Sequence, residues 1–457
     1  MNTRKEQGME QTRETWGSKF GYIMATAGFA VGFGSIWRFP YLAGTSGGGA
    51  FVLVYLILSL IVGLPLFTAE MVLGRKAKST PIDGMRRLTK KGSIWVSFGW
   101  LSLGAALFIM AYYNVLLGFV LSYIVKMAKG DFVGATVESS AAIYEAYCQD
   151  PVTIAIASII MLAILGVVVM RGLKEGIEKC CKILMPALLV MLFVVAVRSC
   201  TLEGAMEGIS WFLKPDISRI TPSVVFKALS QVFFATGVGM AVAFVYGSFL
   251  DEKTGNIPSD SLLIIIINTA IALIAGLCMF PAIFAFGMQP DLGPSLIFKT
   301  MPMVFSQMPF GRAFGTLFFI LVLIAAALTA IGFIEAIAGA LSDATKWKKK
   351  SCILITLVAI FILNIPAILS YNLWSDISIF GKNIFDFYDY ISGNVMLTWA
   401  GVVLCCYIIF KWGFAGYMED SNKGATGILV KTWWKPIVLV IAPILVIVVA
   451  IGSLLGI

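Results

Sequence analysis

Apolar runs of bilayer-spanning length alternate with short polar segments along the whole 457-residue chain, and this pattern predicts about eleven membrane helices. A helix needs about 20 predominantly apolar residues to cross the hydrocarbon core. The runs lie near 18–42, 50–74, 97–126, 152–171, 182–200, 223–250, 261–287, 312–342, 353–371, 389–411 and 436–457. No linker, low-complexity tract or soluble-looking domain interrupts them.

Two of these runs break their own helical pattern. The first contains Gly28-Phe29-Ala30-Val31-Gly32-Phe33-Gly34-Ser35, and the sixth contains Ala235-Thr236-Gly237-Val238-Gly239. Each glycine in a helix interior costs roughly 1 kcal/mol against alanine. In a bilayer the freed backbone groups also find no water, so bare backbone persists only where it lines a cavity or grips a ligand. For most of the 44 glycines, close helix packing is explanation enough. The clustered pair of breaks, five spans apart, needs a joint one, and it points to a secondary transporter that binds its substrate at the membrane midplane.

That spacing also organises the chain. Residues 1–17 form an N-terminal segment, 18–200 a first five-helix unit, 201–411 a second with external loops, and 412–457 a loop and an eleventh helix. Five is odd, so the second unit enters the membrane from the opposite side, and an inverted five-plus-five repeat is expected. The fold class is all-α integral membrane, with helices 1 and 6 unwound. The proline-containing stretches Pro290–Pro294 and Pro302–Pro309 read as short external helices and turns.

Composition narrows the class further. Hydrophobic residues make up 59% of the chain and charged residues 13%, against about 25% charged in a soluble domain. No cleavable signal peptide is expected, since Met1 to Glu14 are polar and charged. The net charge of +9 could suggest nucleic acid, but its distribution argues for a membrane instead. With the N-terminus inside, the outward or buried basic residues are Arg38, Lys126, Lys129, Arg198, Lys214, Arg219, Lys227, Lys299, Arg312 and Lys382. That is 10 of 34, leaving 24 on the inner side, so a multi-pass cell-membrane protein with a cytoplasmic N-terminus is expected. The chain has no histidine, which removes the usual proton shuttle and the commonest metal ligand. Its eight cysteines lack zinc-ligand spacing and read as small apolar side chains, with a Cys148–Cys200 bridge left open. No nucleophile–base pair lines the breaks, so an enzyme is not expected.

The breaks carry the candidate chemistry. Unwinding would expose the carbonyls of Gly28, Ala30 and Val31 to a cation. It would also aim freed N–H groups and a half-helix N-terminus at an anion such as a carboxylate. Around these positions the sequence resembles the neurotransmitter:sodium symporter family. The resemblance rests on Trp16-Gly17-Ser18-Lys19, the Gly28–Pro40 run ending Ile36-Trp37-Arg38-Phe39-Pro40, and Gly47-Gly48-Gly49-Ala50-Phe51. It continues through Gly176-Ile177-Glu178-Lys179, Ile183-Leu184-Met185-Pro186, Gln231-Val232-Phe233-Phe234, Gly293-Pro294-Ser295 and Phe305-Ser306-Gln307-Met308-Pro309. These matches run in order from about residue 12 to about 412, and eleven spans resemble a bacterial branch of the family.

The resemblance implies a substrate site on the two breaks. Gly32 stands where amine-transporting members have an aspartate, which leaves room for a substrate carboxylate and implies an amino acid. Ala30, Phe33, Gly34 and Thr236 belong to the same implied site. Tyr113 matches the tyrosine that holds the carboxylate, and Phe234 the aromatic lid. Ile109, Gly237, Met240 and Phe333 match the side-chain pocket. Glycine at 237 is expected to leave spare volume, which favours a large apolar or aromatic amino acid. Arg38 and Asp389 match an outer ionic gate, and Arg13 and Asp343 an inner one with Trp16 beside it. Phe249 replaces a tyrosine that hydrogen-bonds at the inner gate in relatives.

The ion positions depart from the family pattern. The first sodium position reads Ala30, Ser35, Ala235 and Asn268, losing one long amide and one hydroxyl, and is expected to be degraded. The second uses the carbonyls of Gly28 and Val31, Thr329, and the carbonyl of Ala326 or Ala325. It lacks one of two adjacent hydroxyls, so coupling to one sodium ion is expected there. At the chloride position Tyr55 and Gln231 remain but Ala235 and Ala272 replace other contacts, so chloride independence is expected. Glu70 and Glu335 are acids inside spans, and such groups are functional by default. Their family counterparts are structural, which is the preferred reading over a proton path.

The expected function is import of a neutral, large hydrophobic or aromatic amino acid by alternating access, coupled to sodium. The small molecule and the lipid bilayer are the expected partners, with no nucleic acid and no obligate protein partner. Two alternatives stay open. One keeps the substrate but replaces sodium by exchange, facilitated flux or protons; the other is a non-transporting amino-acid receptor.

Overall fold

A computed structural model of the chain describes residues 14–251, 256–288 and 296–455. Among these residues nine helices are long and apolar enough to cross a membrane. They are Gly49–Ala77, Ile94–Lys129, Pro151–Met170, Leu173–Cys200, Ile257–Ala285, Gly311–Thr345, Lys349–Leu369, Ile384–Asn422 and Trp434–Leu454. The first span is the bent pair Lys19–Ala30 and Gly34–Thr45, whose two halves turn by 52° at the break. The sixth is divided into Pro222–Thr236 and Val242–Ser248, separated by residues 237–241. Eleven spans therefore stand in an inverted five-plus-five arrangement, with the two broken ones where the glycines cluster.

Several helices outrun their hydropathy. The fifth span was expected over 182–200 but begins at Leu173, across Lys174, Glu175, Glu178 and Lys179. The tenth was expected over 389–411 and runs Ile384–Asn422. Hydropathy marks the stretch that lipid can cover, whereas backbone hydrogen bonds propagate a helix until something stops it. Charged residues at these ends are paired: Glu178 lies 2.7 Å from Lys182, and Asp420 3.0 Å from Lys423.

The packing separates a lipid-facing ring from a buried centre. Exposed apolar residues recur at helical spacing on the fourth span (Ile156, Ile160, Ile164), the ninth (Leu354, Val358, Ile362) and the eleventh (Ile444, Val448, Ile451). Those stripes are the faces a bilayer would cover. The third and eighth spans are buried along most of their length and pack on each other. The second span and the latter half of the sixth approach closely because both carry glycine. A Cβ at Gly74 would lie 1.9 Å from the Phe244 carbonyl, and one at Gly247 would lie 2.2 Å from that of Met71.

Short helices lie between spans on the side opposite the N-terminal segment: Val137–Cys148, Ala205–Leu213 and Met301–Ser306. The last accounts for much of the stretch expected at Pro302–Pro309, while Pro290–Pro294 lies outside the described residues. The Cys148–Cys200 bridge does not form, and all eight cysteines are free. The two sit against different spans: Asn372, after the ninth span, donates to the Cys148 carbonyl at 2.9 Å, and Cys200 faces the Leu277 carbonyl on the seventh at 3.9 Å.

Candidate functional site

Both breaks are held open by side chains that satisfy the freed backbone. In the first span the α-helix ends at Ala30, Val31 leaves helical geometry (φ −90°, ψ 78°), and a π-helical turn resumes at Gly34. The Phe33 N–H donates to the Tyr113 hydroxyl at 3.3 Å, and the Gln231 amide donates to the Gly34 carbonyl at 2.7 Å. In the sixth span Gly237, Gly239 and Ala241 all have positive φ, 68°, 78° and 67°. Glycine tolerates that region freely, and Ala241 adopts it as a lone strained residue. The carboxylate of Glu70, fully buried in the second span, accepts the Gly239 N–H at 2.8 Å. Glu70 is thus a backbone partner of the unwound segment.

Between the breaks lies a narrow cavity of about 10 Å³, room for about one water molecule. From the first span it is lined by Phe29, Ala30, Gly32, Phe33 and Gly34. The third span contributes Ile109 and Tyr113, the sixth Phe234 and Met240, and the eighth Thr329 and Phe333. Nine of the residues expected at a substrate site therefore converge. A Cβ at Gly32 would lie 2.4 Å from Thr329 Oγ1 and 2.7 Å from the Tyr113 hydroxyl, so the position has no room for a side chain.

Two expected residues do not join the lining. Thr236 points its hydroxyl along its own helix to the Val232 carbonyl (2.7 Å), and its methyl lies over Gly63 of the second span. Gly237 offers no spare volume: a Cβ there would meet the Phe29 ring at 2.4 Å. The aromatic ring already fills the space that the glycine leaves. Phe29 is a lining residue that the sequence reading missed, and Thr329, expected at the second sodium position, lines the cavity as well. No helical spacing exposes Phe29, because the helix breaks at Val31 between it and Phe33.

The ion positions can be judged by their oxygens. At the second, Thr329 Oγ1 lies 3.4 Å from the Gly28 carbonyl, 2.8 Å from that of Phe29 and 3.5 Å from that of Ala325. Val31 and Ala326 are buried two positions after Phe29 and one after Ala325, and their carbonyls are not among those the Thr329 hydroxyl reaches. A hydroxyl and several carbonyls at one point are the donor set that a hard cation takes. At the first position the Ser35 hydroxyl bonds to Asn268 Oδ1 at 2.5 Å and lies 3.5 Å from the Ala30 carbonyl. The Asn268 amide in turn donates to the Ala235 carbonyl at 3.0 Å. These groups are tied to one another, and the methyl of Ala235 adds no oxygen. Beside them, Gln231 is engaged at both ends, by the Gly34 carbonyl and by Arg38.

Above the cavity Arg38 covers the Phe234 ring, with its guanidinium carbon 5.0 Å from the ring centroid. The outer pair is arranged differently from the expectation of a direct gate. Arg38 donates to Gln231 at 2.8 Å and Ser230 at 3.0 Å, and shares with Asp389 a second small cavity of about 20 Å³. The fork of the guanidinium is filled by two neutral acceptors on the sixth span, and Asp389 faces it across that space. On the opposite side Asp343 accepts from Ser79 and from the backbone and hydroxyl of Thr80, at 2.8–3.0 Å. Its expected partner Arg13 lies outside the described residues. Trp16 donates its indole N–H to the Tyr246 carbonyl at 3.1 Å and packs edge-on against Tyr246 and Phe249. Glu335 is 2.8 Å from Lys349, an ion pair that sequence alone did not indicate.

Comparisons with known proteins match this chain along most of its length. The family profile described as the sodium:neurotransmitter symporter family matches residues 13–153 and 138–457. An uncharacterized sodium-dependent transporter of Haemophilus influenzae is 39% identical over 454 residues, covering 97% of this chain and 98% of the relative. One from Bacillus subtilis is 36% identical over 416 residues, covering 91% and 92%. The crystal structure of MhsT in complex with L-phenylalanine is similar with a TM-score of 0.88 and 33% identity, over 96% of this chain and 100% of that one.

Proposed function

Since the chain belongs to the sodium:neurotransmitter symporter family, we propose that it imports a neutral, large hydrophobic or aromatic amino acid by alternating access, coupled to one sodium ion and independent of chloride. The observation that carries this reading is the set of residues that converge on the small cavity between the two breaks. Its polar edge is the unwound first span with the Tyr113 hydroxyl, and its walls are Ile109, Phe234, Met240 and Phe333. Gly32 leaves no side-chain carboxylate there. A substrate that brings its own carboxylate, and an apolar side chain for the walls, fits both halves. The similar MhsT structure holding L-phenylalanine supports the same class.

In this reading Ala30, Gly32, Phe33 and Gly34 meet the substrate's polar end and Phe234 closes over it. Sodium, as co-substrate, binds among Gly28, Val31, Thr329 and the Ala325 or Ala326 carbonyl. Ser35, Asn268 and Ala30 hold the first position without an ion of their own. Arg38 with Asp389 closes the outer side, and Trp16 with Asp343 and Arg13 the inner. The excess of basic residues on the N-terminal side supports a cytoplasmic N-terminus in the cell membrane. Glu70 and Glu335 each hold a structural partner, which weighs against a proton path.

The test is thermal-shift binding of an amino-acid panel to the purified protein, in sodium or in choline. Stabilisation by phenylalanine, tryptophan, tyrosine or leucine only in sodium, with a Hill slope near one, is the expected result. Equal stabilisation in choline would overturn the sodium coupling.

A further inference from the structure

Phe29 has a role that its place beside a helix break does not suggest. Its ring lines the cavity and is wedged from three sides. It lies edge-on to Phe333 at 5.6 Å and 87°, and edge-on to Tyr246 at 6.4 Å and 70°. Tyr246 is backed in turn by Trp16 at 5.2 Å and 87°. Away from the cavity, a Cβ at Gly237 would lie 2.4 and 2.6 Å from two Phe29 ring carbons, and one at Gly332 would lie 3.1 Å from a third. The backbone of Phe29 is fixed as well, since its carbonyl accepts the Thr329 hydroxyl at 2.8 Å.

We infer that the Phe29 ring, seated in the space a side chain at position 237 would take, is the specificity-determining wall that limits how long a substrate side chain the cavity accepts. The inference rests on the amino-acid reading above and adds to it the residue that sets the size limit. Volume that a glycine at 237 would offer to substrate belongs instead to the protein. The neighbours that hold the ring are themselves large, buried and in mutual contact, so the wall does not swing aside as a lone rotamer would. Edge-on aromatic pairs add to this through their preferred geometry. Removing the ring leaves a space that the surroundings fill only in part, as large-to-small changes in packed interiors do.

The experiment compares binding of leucine, phenylalanine and tryptophan to the purified full-length protein and to Phe29→Ala, in saturating sodium. The expected result is a rise of about tenfold in the tryptophan-to-leucine affinity ratio, the scale on which an apolar pocket discriminates about one methylene. Phe29→Leu should shift the ratio in the same direction by less, and it carries the test if Phe29→Ala does not fold. An unchanged ratio, whether all affinities stay or all weaken together, would mark the ring as packing only and overturn the inference. Absence of any amino-acid binding by the unsubstituted protein would sink the proposed function first, and the wall with it.

Discussion

At Thr329 a single hydroxyl stands between the cavity and the carbonyls proposed to hold sodium. It borders the cavity, and it lies within 3.5 Å of carbonyls from both the first and the eighth spans. With a proton pointed at the Phe29 carbonyl it is a donor; rotated, it offers lone pairs to a cation. Thr329→Val keeps the shape and removes the oxygen. Melting curves over a sodium titration, with amino acid present, should then lose their sodium dependence, while Thr329→Ser should keep it. Loss of the hydroxyl also leaves the Phe29 carbonyl without its donor, at a cost of about 1–3 kcal/mol, which lowers the melting temperature at every sodium concentration and leaves the slope against sodium as the readout of the ion. A valine variant with unchanged sodium dependence would place the ion elsewhere. Phe29 teaches a related lesson about reading single residues. Glycine at 237 looks like spare room in the sequence, and only the first span packed against it reveals what occupies it.

At the scale of elements, the two interrupted spans depend on partners far away in sequence. Glu70 illustrates this: one carboxylate oxygen takes the Gly239 N–H, and both residues are buried. An unpaired N–H in such surroundings costs about 1–3 kcal/mol. Glu70→Gln retains an acceptor oxygen and should fold, bind and transport; Glu70→Ala should lower the melting temperature and weaken binding. A glutamine variant that binds substrate but cannot accumulate it would instead assign the carboxyl a proton-carrying role. The spans and their breaks were legible in the sequence because a bilayer allows the backbone so few alternatives. Eleven runs, two glycine clusters and nine cavity residues follow from that constraint and from the family resemblance. Side-chain directions were less legible. Whether Thr236 faces the cavity or Gly63, and whether Arg38 reaches Asp389 or Ser230, depends on the rotation of one helix against another. Helix ends were missed for a local reason, since pairs such as Glu178 with Lys182 let charged residues continue a helix beyond the apolar stretch.

Taken whole, the molecule is closed on both sides of its cavity. Arg38 and Phe234 cover it on one side. On the other, Trp16 is locked to Tyr246 and Phe249, and Gly17 and Ser18 are clasped by the buried Glu178 at 2.7 and 2.9 Å. Two five-span units of opposite orientation can open one closure while keeping the other, which is the geometric basis of alternating access. A ligand shifts such an equilibrium only by binding one state better than another. Sodium at Thr329 would do so by joining the first and eighth spans at the cavity's edge, and the amino acid by joining the first to the sixth. The most direct measurement of this account is uptake of radiolabelled phenylalanine into proteoliposomes of the purified protein. An inward sodium gradient should drive accumulation above equilibrium, with gluconate in place of chloride making no difference. Accumulation or exchange of the same size with choline in place of sodium would contradict it.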